Sequence, residues 1–523
     1  MATLTTTERD LLRSKGQRYR LYLALWHTWQ VNQTTVLLSD ASEDPPTLVP
    51  LGLWDDGDFP PIINIGTHRL GFAGEALEFD ASRSWVRGDN PGESVLSFDW
   101  NFSGATTTTA SGEGPHSITW NNPGLYTVTC ESGGATATRW VRILADRLSA
   151  EWNILNVDSV GGNVGGGWKA NLRVVPSDDN PSDVIVEDFQ SVGIFCEEEW
   201  QEDDGTWTTQ NISGYPSDPM LVMSGYVLQG SISNTANSHE VSFSVGSLAD
   251  QLNLGFIYGT ATWRNSYVTA EQALGNLPDP VQGILLDVDT MTMVDVMHYW
   301  LSEHTNILQY HDFISWYDGT LQALDEITSS EGSLWSALQS WSENEFAFLF
   351  TDQGNGLHFE PNPHLRSASQ FQTNYPVRML FTDRDIIQVD ITDNKQRNVI
   401  WVQLEGIRIR DNKVFLSRYP DEIPPAGAGT WLLKKGYNVS RQSFVDAVAP
   451  RLYADANRNY PQINLNLAMN RACVHLGRIE VTLEIPDEGI SWDEKVFIVQ
   501  GISYNIDLTK NSWFTSLSVG EVV

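Results

Sequence analysis

The sequence predicts a mainly β, multi-domain protein, and three observations support that class. The chain has 523 residues, which at about 150 residues per domain suggests about three or four domains. Hydrophobic residues make up 41% and charged residues only 19% of the chain, a balance typical of a globular protein. The 20 Trp, 16 Tyr and 20 Phe lie mostly in alternating segments, where wide aromatic side chains suit a half-buried sheet surface.

The charge of the chain excludes one broad class of partner. Its 66 acidic and 32 basic residues give a net charge of −34, and such a surface repels phosphate. Arg13, Lys15, Arg18 and Arg20 make the N-terminus basic, and we interpret them as a solvated face. We therefore expect no sequence-specific nucleic-acid binding.

Cysteine usage and hydropathy indicate an intracellular assembly site. Cys130, Cys196 and Cys473 are odd in number and far apart, and no CxxC occurs, so we expect buried free thiols. Such usage fits a reducing bacterial cytoplasm. The apolar run Leu21–Trp29 is too short to span a bilayer and lacks a cleavage site, so we expect no membrane insertion.

Changes of pattern divide the chain into segments. Pro60-Pro61 marks one boundary, and the chain becomes glycine-rich from Gly161. The predicted units are a β segment (1–59), a β-sandwich (60–147), a first β-barrel (148–284), a small α+β unit (285–376) and a second β-barrel containing one helix (377–523).

Three blocks in the second unit carry a family resemblance. Phe79–Ser84, Phe98–Phe102 and Asn122–Thr129 resemble, in order and spacing, the signature blocks of PKD domains. That resemblance implies an immunoglobulin-like β-sandwich. The family's Gly-Asp-Gly corner is replaced here by Ser103-Gly104-Ala105, which leaves the turn at that corner open.

Alternation within the middle block is typical of a strand with one buried face. Trp100 and Phe102 alternate with Asp99 and Asn101, which places both aromatic rings on one side. We interpret Trp100 as core packing rather than ligand stacking.

The α+β unit and the last third contain the predicted helices. Apolar residues recur at helical spacing three times. The expected features are a helix capped by Thr290 with Val294, Met297 and Leu301 on one face, a helix from Ser330–Ser333 carrying Leu334, Leu338 and Trp341, a hairpin of Phe346–Phe350 with Leu357–Phe359, and a helix over Ser440–Asn457 with Phe444, Val448 and Leu452 aligned. We expect Pro450 to kink or split the last helix.

Two distant stretches resemble each other. Gly225–Ser233 and Glu240–Gly246 match Gly501–Thr509 and Phe514–Gly520, and both copies end in Ser-Val-Gly. Each copy closes one of the predicted barrels. Three copies of a chain with two similar domains make a ring of six similar units, which can sit on a sixfold tube.

The same part of the chain, roughly residues 160–523, resembles the hub proteins of phage tails, baseplates and contractile injection systems. The likeness lies in Gly332–Trp341, Phe350–Pro361, Val496–Asp507 and Trp513–Val519. It implies a virion homotrimer that joins tail tube to spike, contacts the tape-measure protein and other baseplate subunits, and forms part of the ejection channel. The PKD-like domain would project outward. We also hypothesise that an acidic lumen repels the genome.

A search for catalytic chemistry finds no nucleophile, zinc or phosphate-binding motif, so we predict a non-enzymatic protein with no catalytic, cofactor or metal site. His298, Tyr310 and Asp312 form a conceivable polar site, which we interpret as structural. The acid pairs Asp287/Asp289 and Asp383/Asp385 stand out in no way from the other acids.

Two alternatives and one local question stay open. The first alternative is a surface carbohydrate-binding or adhesion protein, which a planar row of exposed Trp would favour. The second is a tail-associated glycan-degrading enzyme, which needs two carboxylates across a cleft. The acidic cluster Glu197–Asp204 is interpreted as an exposed loop rather than a cation site, because it lacks calcium-loop spacing.

Overall fold

The computed structural model confirms a mainly β protein built from several sheets. It describes residues 17–28, 36–37, 39–40, 47–48, 59–89, 91–149, 152–177, 186–201, 207–208, 219–235, 240–258, 261–265, 285–286, 292–303, 305–316, 326–329, 332–363, 375, 377–383, 385–392, 399–408, 413–422, 430–438, 442–457, 462–468, 473–486, 490–507 and 512–521.

The described strands are numbered here in chain order. The first eighteen are β1 (Gln17–Thr28), β2 (Val36–Leu37), β3 (Ser39–Asp40), β4 (Thr47–Leu48), β5 (Arg69–Phe72), β6 (Ala76–Phe79), β7 (Asp99–Phe102), β8 (Thr109–Ser111), β9 (His116–Thr119), β10 (Gly124–Ser132), β11 (Ala135–Leu144), β12 (Trp152–Asn163), β13 (Lys169–Pro176), β14 (Gln190–Gln201), β15 (Trp207–Thr208), β16 (Met220–Val227), β17 (Ser233–Thr235) and β18 (Glu240–Gly246). The others are β19 (Phe256–Tyr258), β20 (Ala261–Asn265), β21 (Leu285–Leu286), β22 (Phe313–Ser315), β23 (Glu326–Ser329), β24 (Gly332–Ser333), β25 (Ala347–Thr351), β26 (Leu357–Pro361), β27 (Val377–Thr382), β28 (Ile386–Thr392), β29 (Val399–Arg408), β30 (Lys413–Tyr419), β31 (Thr430–Asn438), β32 (Gln462–Ala468), β33 (Arg478–Ile485), β34 (Ile490–Asp507) and β35 (Ser512–Glu521).

The described helices are few and short. They are α1 (Leu248–Leu254), α2 (Met293–Glu303), α3 (Ile307–Tyr310), α4 (Leu334–Asn344) and α5 (Gln442–Asn457).

One sheet of 14 strands contains two blocks with the same topology. The first block pairs β1-β14-β16-β18-β13-β12, and the second pairs β27-β33-β34-β35-β32-β28. Numbered by chain order within its block, each reads 1-4-5-6-3-2. One pairing differs in direction, since β1 is antiparallel to β14 whereas β27 is parallel to β33. A continuous hydrophobic core includes residues from both blocks.

Each block carries an inserted unit at a different place. In the first block, residues between β1 and β12 form a five-stranded sheet, β5-β11-β10-β7-β8, and the pair β6-β9, which share one core. Trp100 and Phe102 are buried in that core, as expected for a strand with one apolar face. Gly104 makes the corner turn at φ 67°, and a Cβ there would lie 2.5 Å from the Tyr126 ring, so glycine is required. The PKD assignment stays a prediction.

In the second block, the insertion lies between β28 and β32. It comprises the sheet β30-β29-β31, with α5 packed on one face. The helix runs through Pro450 without being split, contrary to the stronger form of our expectation. Val448 and Leu452 are buried and Phe444 packs at the edge of the cluster, so packing of the apolar face holds the helix together despite the lost hydrogen bond.

The helix-and-hairpin unit has the predicted apolar faces. Val294, Met297 and Leu301 of α2 and Leu334, Leu338 and Trp341 of α4 are all buried in one cluster. Thr290 lies outside the described residues. Thr292 instead precedes α2 and exchanges hydrogen bonds with Asp295, while Ser333 accepts from the Ser336 N–H at the start of α4.

Two parts of this arrangement differ from the segments expected from sequence. Strand β1, from the N-terminal segment, pairs along its length with β14 and so belongs to the first block. Helix α1, which was not anticipated, joins the apolar cluster of α2 and α4 and also contacts the preceding strands β16 and β18. Both differences arise because apolar faces pack against partners that are distant in sequence.

Candidate functional site

The two blocks correspond in register as well as in strand order. Asn171 lies opposite Ser244 in the first block, and Asn464 lies opposite Ser518 in the second. The two serines occupy the same place in the repeated sequence that ends in Ser-Val-Gly. The partner strands match too, because Asn-Leu stands at 171–172 and again at 464–465. The repeat is therefore present in four strands, β13, β18, β32 and β35.

The first strand of the repeat is aligned differently from the sequence-based prediction. Gly225 does not correspond to Gly501, because β16 ends at Val227 whereas β34 continues beside β35 to Asp507. In the first block β17 occupies the equivalent place. Ser233 lies opposite Ser242 there, as Ser503 lies opposite Ser516 in the second block. The corresponding dipeptides are thus Ile-Ser at 232–233 and at 502–503.

The blocks are joined edge to edge by β12 and β34. These strands are antiparallel, with Val160 opposite Tyr504 and Gly161 opposite Ser503. A Cβ on Gly161 would lie 2.8 Å from the Ile502 carbonyl oxygen, so glycine allows the close approach of the two strands. Val160 is completely buried at this joint.

An open groove of about 1010 Å³ lies over the joint on the polar face of the sheet. Its lining is mostly amide, hydroxyl and glycine, with Lys169 as the charged side chain among the described lining residues. Hydrogen bonds order part of this face: the Ser244 hydroxyl donates to Asn171 Oδ1 at 2.7 Å, and the Ser516 hydroxyl donates to Asn466 Oδ1 at 2.5 Å. The groove can therefore contact a polar surface without a strong field of either sign.

A buried polar cluster ties the hairpin β25–β26 to its surroundings. His358 Nδ1 lies 2.7 Å from Glu360 Oε1, and its Nε2 lies 3.0 Å from Asp352 Oδ2. The Tyr375 hydroxyl donates to the other oxygen of Glu360. Beside the cluster is a cavity of about 110 Å³ that also touches His475 of the second block.

Electrostatics in this cluster favour a cation between two anions. Burial opposes the charge on His358, but hydrogen bonds and charge from Asp352 and Glu360 raise its pKa to about 9. Burial likewise opposes ionisation of Asp352, yet His358 and two backbone N–H groups hold its pKa below the ordinary value. Both nitrogens of His358 are engaged, so it is a structural cation here rather than a free base.

The three residues of the conceivable polar site have separate structural partners. His298 is buried against the rings of Phe59 and Trp85, and burial lowers its pKa to about 3. Tyr310 stacks on Trp140 with ring centroids 5.5 Å apart. Asp312 forms an ion pair with buried Arg139.

Arg139 connects the inserted sandwich to the helical unit. Besides Asp312, its guanidinium donates to the carbonyls of Gly66 and Gln309. The arrangement satisfies buried charges across a packed junction, as a structural ion pair does.

One of the two acid pairs noted from sequence, Asp383 and Asp385, lies within the described residues. Asp287 and Asp289 lie outside the described residues. Asp383 is exposed, whereas Asp385 accepts hydrogen bonds from the backbone N–H and hydroxyl of Thr382 at 2.8 and 3.0 Å. Asp385 therefore shapes a turn.

The interpretation of Glu197–Asp204 as an exposed loop is wrong for Glu197–Glu199, which lie in strand β14 and pair with β1. Residues 202–204 lie outside the described residues. Glu197 lies within β14 and is buried, where it accepts from Arg147 Nε at 2.6 Å and from the Tyr22 hydroxyl at 2.9 Å. Arg147 also pairs with Glu75 of the inserted sandwich. Glu197 thus links three parts of the chain, and its charge is already compensated.

The basic N-terminal residues are only partly described. Arg20 donates to the backbone carbonyl of Arg147 at 2.7 Å, so it supports the same junction, while Arg13 and Lys15 lie outside the described residues. Cys130, Cys196 and Cys473 are free and buried, as predicted.

Within the described part of the chain, no group of three or more His, Cys, Asp or Glu side chains is placed to hold a metal ion. No helix among the described residues combines the length and apolarity needed to cross a bilayer.

Sequence comparison identifies no matching family profile and no matching curated protein. Structure comparison finds likenesses to solved proteins. A tail protein from Neisseria meningitidis MC58 shares 14% identity at a TM-score of 0.43, covering 74% of this chain and 94% of its own. A 43 kDa tail protein of prophage MuSo2 from Shewanella oneidensis shares 9% identity at 0.40, covering 70% and 97%. The c3393 protein of E. coli, a type VI secretion component, shares 8% at 0.37, covering 71% and 77%.

Proposed function

We propose that the chain is a structural subunit of a phage-type tail or baseplate hub, assembled as a homotrimer between tail tube and spike. The observation that carries the proposal is the repetition of one six-stranded topology, 1-4-5-6-3-2, with matched register in the two halves of the sheet. Three such chains present six equivalent blocks, which matches a threefold object to a sixfold tube.

The proposal assigns roles to the inserted units. Residues 60–147 enter the first block between β1 and β12, and the unit of β29–β31 and α5 enters the second between β28 and β32. Both insertions leave the block topology intact, which is typical of additions at loops. We assign the sandwich to docking with neighbouring subunits or to adhesion on the host surface, and the five predicted segments stay our proposed domains.

We further propose that the groove over the β12–β34 joint lines the ejection passage. This replaces the hypothesis of an acidic lumen, because the described lining residues include Lys169 and no Asp or Glu. A wall of Asn, Ser and Gly offers hydrogen bonds but little net charge, so DNA and the tape-measure protein would slide past without strong binding.

The decisive experiment is native mass spectrometry of the full chain, alone and with tube and spike proteins. The proposal expects a species of three chains. A stable monomer in both conditions would refute the hub assignment.

The carbohydrate-binding alternative makes a different demand on the aromatic residues. Most Trp side chains in the described regions are buried, while Trp431 is 51% exposed. The described residues therefore show core packing rather than a planar row of exposed rings. For the enzyme alternative, glycan hydrolysis abolished by a single Asp or Glu substitution is the result that would establish it.

A further inference from the structure

Strand β28 forms an outer edge of the large sheet and leaves part of the core uncovered. Among the described residues it pairs with β32 on one side and with no strand on the other. Ile391 lies opposite Ile463 and so faces the core, yet 39% of Ile391 and 66% of Ile387 is exposed. The neighbouring Ile463 and Leu465 are completely buried. An exposed apolar edge of this kind is a template for a further strand.

The equivalent strand of the first block shows what covers such an edge. Strand β12 holds the position of β28 in the shared topology, and register aligns Asn156-Val157-Asp158 with Gln388-Val389-Asp390. Val160, the counterpart of Ile391, is 0% exposed because β34 continues the sheet beyond it. The aligned residues are similar, and the exposure of Ile391 reflects the lack of a neighbouring strand among the described residues. One difference is that Thr392 stands where β12 has Gly161.

The first block offers a matching free edge. Strand β17 has the position in the first block that the C-terminal half of β34 has in the second. The described residues of β17 pair only with β18. Ser233 and Asn234 are exposed, and Ile232 is half-buried where Ile502, its counterpart, is 2% exposed. The core is thus incomplete at this end as well.

We propose that β28 of one copy pairs antiparallel with β17 of a second copy, repeating between chains the joint that β12 and β34 make within one chain. The inference rests on the proposed trimer and identifies its contact. By analogy with Val160–Tyr504 and Gly161–Ser503, Ile391 lies opposite the partner's Asn234, and Thr392 opposite the partner's Ser233. Each copy has one edge of each kind, so the contact is head-to-tail, and a threefold rotation between copies closes it as a ring of three.

The second copy is the occupant that these observations favour. Strands of the same two positions already pair inside the chain, so the β12–β34 joint is a direct precedent for this contact. In addition, β28 contains neither Lys nor Pro, the residues with which proteins commonly protect a free edge from pairing.

Interchain disulfide formation tests the register. Residues directly opposite on antiparallel strands lie about 4.5–5.5 Å apart at Cα, within disulfide reach. The variant carrying Ser233→Cys and Thr392→Cys is expected to give covalent dimers and trimers under a mild oxidant. The matched control carries Ser233→Cys and Gln388→Cys, four residues away and about 13 Å along the strand; it should stay uncrosslinked. The native cysteines are buried and do not compete.

A second arm tests the apolar edge without introducing bonds. Ile391→Asp should shift the native mass distribution from trimer to monomer, while Val414→Asp, at a position 54% exposed on the separate sheet of β29–β31, should leave the trimer intact. Circular dichroism checks that both variants keep the parent's strand content.

The outcomes separate this inference from the hub proposal. A trimer that forms the predicted disulfide and is lost with Ile391→Asp supports both. A trimer that gives no such disulfide and tolerates Ile391→Asp overturns the edge contact alone. A parent chain that stays monomeric at its highest soluble concentration and with its neighbours overturns both.

Discussion

Replacing His358 by Gln removes the cation that separates the buried carboxylate of Glu360 from the partly exposed carboxylate of Asp352. The pKa of His358 is raised from 6.5 to about 9, and a shift of that size corresponds to about 3 kcal/mol of stabilisation at neutral pH. The side chain is 12% exposed, so solvent screening reduces this figure little. His358→Gln should therefore lower the local stability of hairpin β25–β26 by about 3 kcal/mol, near the cost of breaking a buried pair.

The pH dependence follows from the direction of the shifts. Because its folded pKa is raised, the contribution of His358 is complete below pH 6.5 and is lost as pH rises through about 9. The lowered pKa of Asp352 acts in the other direction, so its contribution is present above pH 3.8 and is lost as pH falls. The hairpin should be most stable between these limits.

Hydrogen exchange of the hairpin amides is the appropriate assay, because a multi-domain chain lacks a single unfolding transition. In His358→Gln, protection of the Ala347–Thr351 amides should be lower than in the parent at neutral pH. The further fall in protection that the parent shows as pH rises through about 9 should be absent from the variant. His116→Gln, in the inserted sandwich, is the control and should leave these amides unchanged. Parent-like protection in His358→Gln at every pH would refute the electrostatic reasoning.

Two further substitutions test the packing. Glu197→Ala leaves Arg147 without a buried partner and should lower the stability of this junction by about 2 kcal/mol. Proteolysis between the sandwich and the first block should then be faster than in the control, exposed Glu78→Ala. Equal proteolysis rates in the two variants would contradict the linking role of Glu197. Leu517→Ala empties a completely buried site in the core that includes both blocks and should cost about 3 kcal/mol. Hydrogen-exchange protection in β13 and β32 should fall in Leu517→Ala and stay at the parent level in Ser518→Ala, on the adjacent polar face. Protection lost in β32 alone would show that the core is not shared.

Local periodicity was sufficient to predict elements and faces. Leu334, Leu338 and Trp341 recur at helical spacing and are buried together, and alternation around Trp100 and Phe102 defined a one-sided strand. These predictions succeed because the pattern that defines each face lies within a few residues of sequence.

Long-range pairing and charge compensation were not accessible in that way. Glu197 looks exposed within an acidic run, but Arg147, fifty residues away, makes its burial possible. The cluster around His358 was overlooked because we searched for metal and catalytic spacings. One signal was present, since His358 and Glu360 alternate on one face of a strand that follows Asp352 through a turn.

Asn-Leu at 171–172 and 464–465 is a second signal that sequence reading passed over. The dipeptide is too short to identify alone, and its meaning depends on the strand opposite each copy. The first strand of the repeat was misaligned because the turn after Val227 and the separate strand β17 replace one long strand.

Electron cryo-microscopy of this protein assembled with a tail tube protein would show directly how many chains surround the axis and where the two blocks of each chain lie. We expect three chains around an axis, with six blocks of equivalent topology at similar radius and the Asn- and Ser-rich face of β12 and β34 toward the pore. A map in which the two blocks of a chain lie at different radii, or do not surround a common pore, would contradict this expectation.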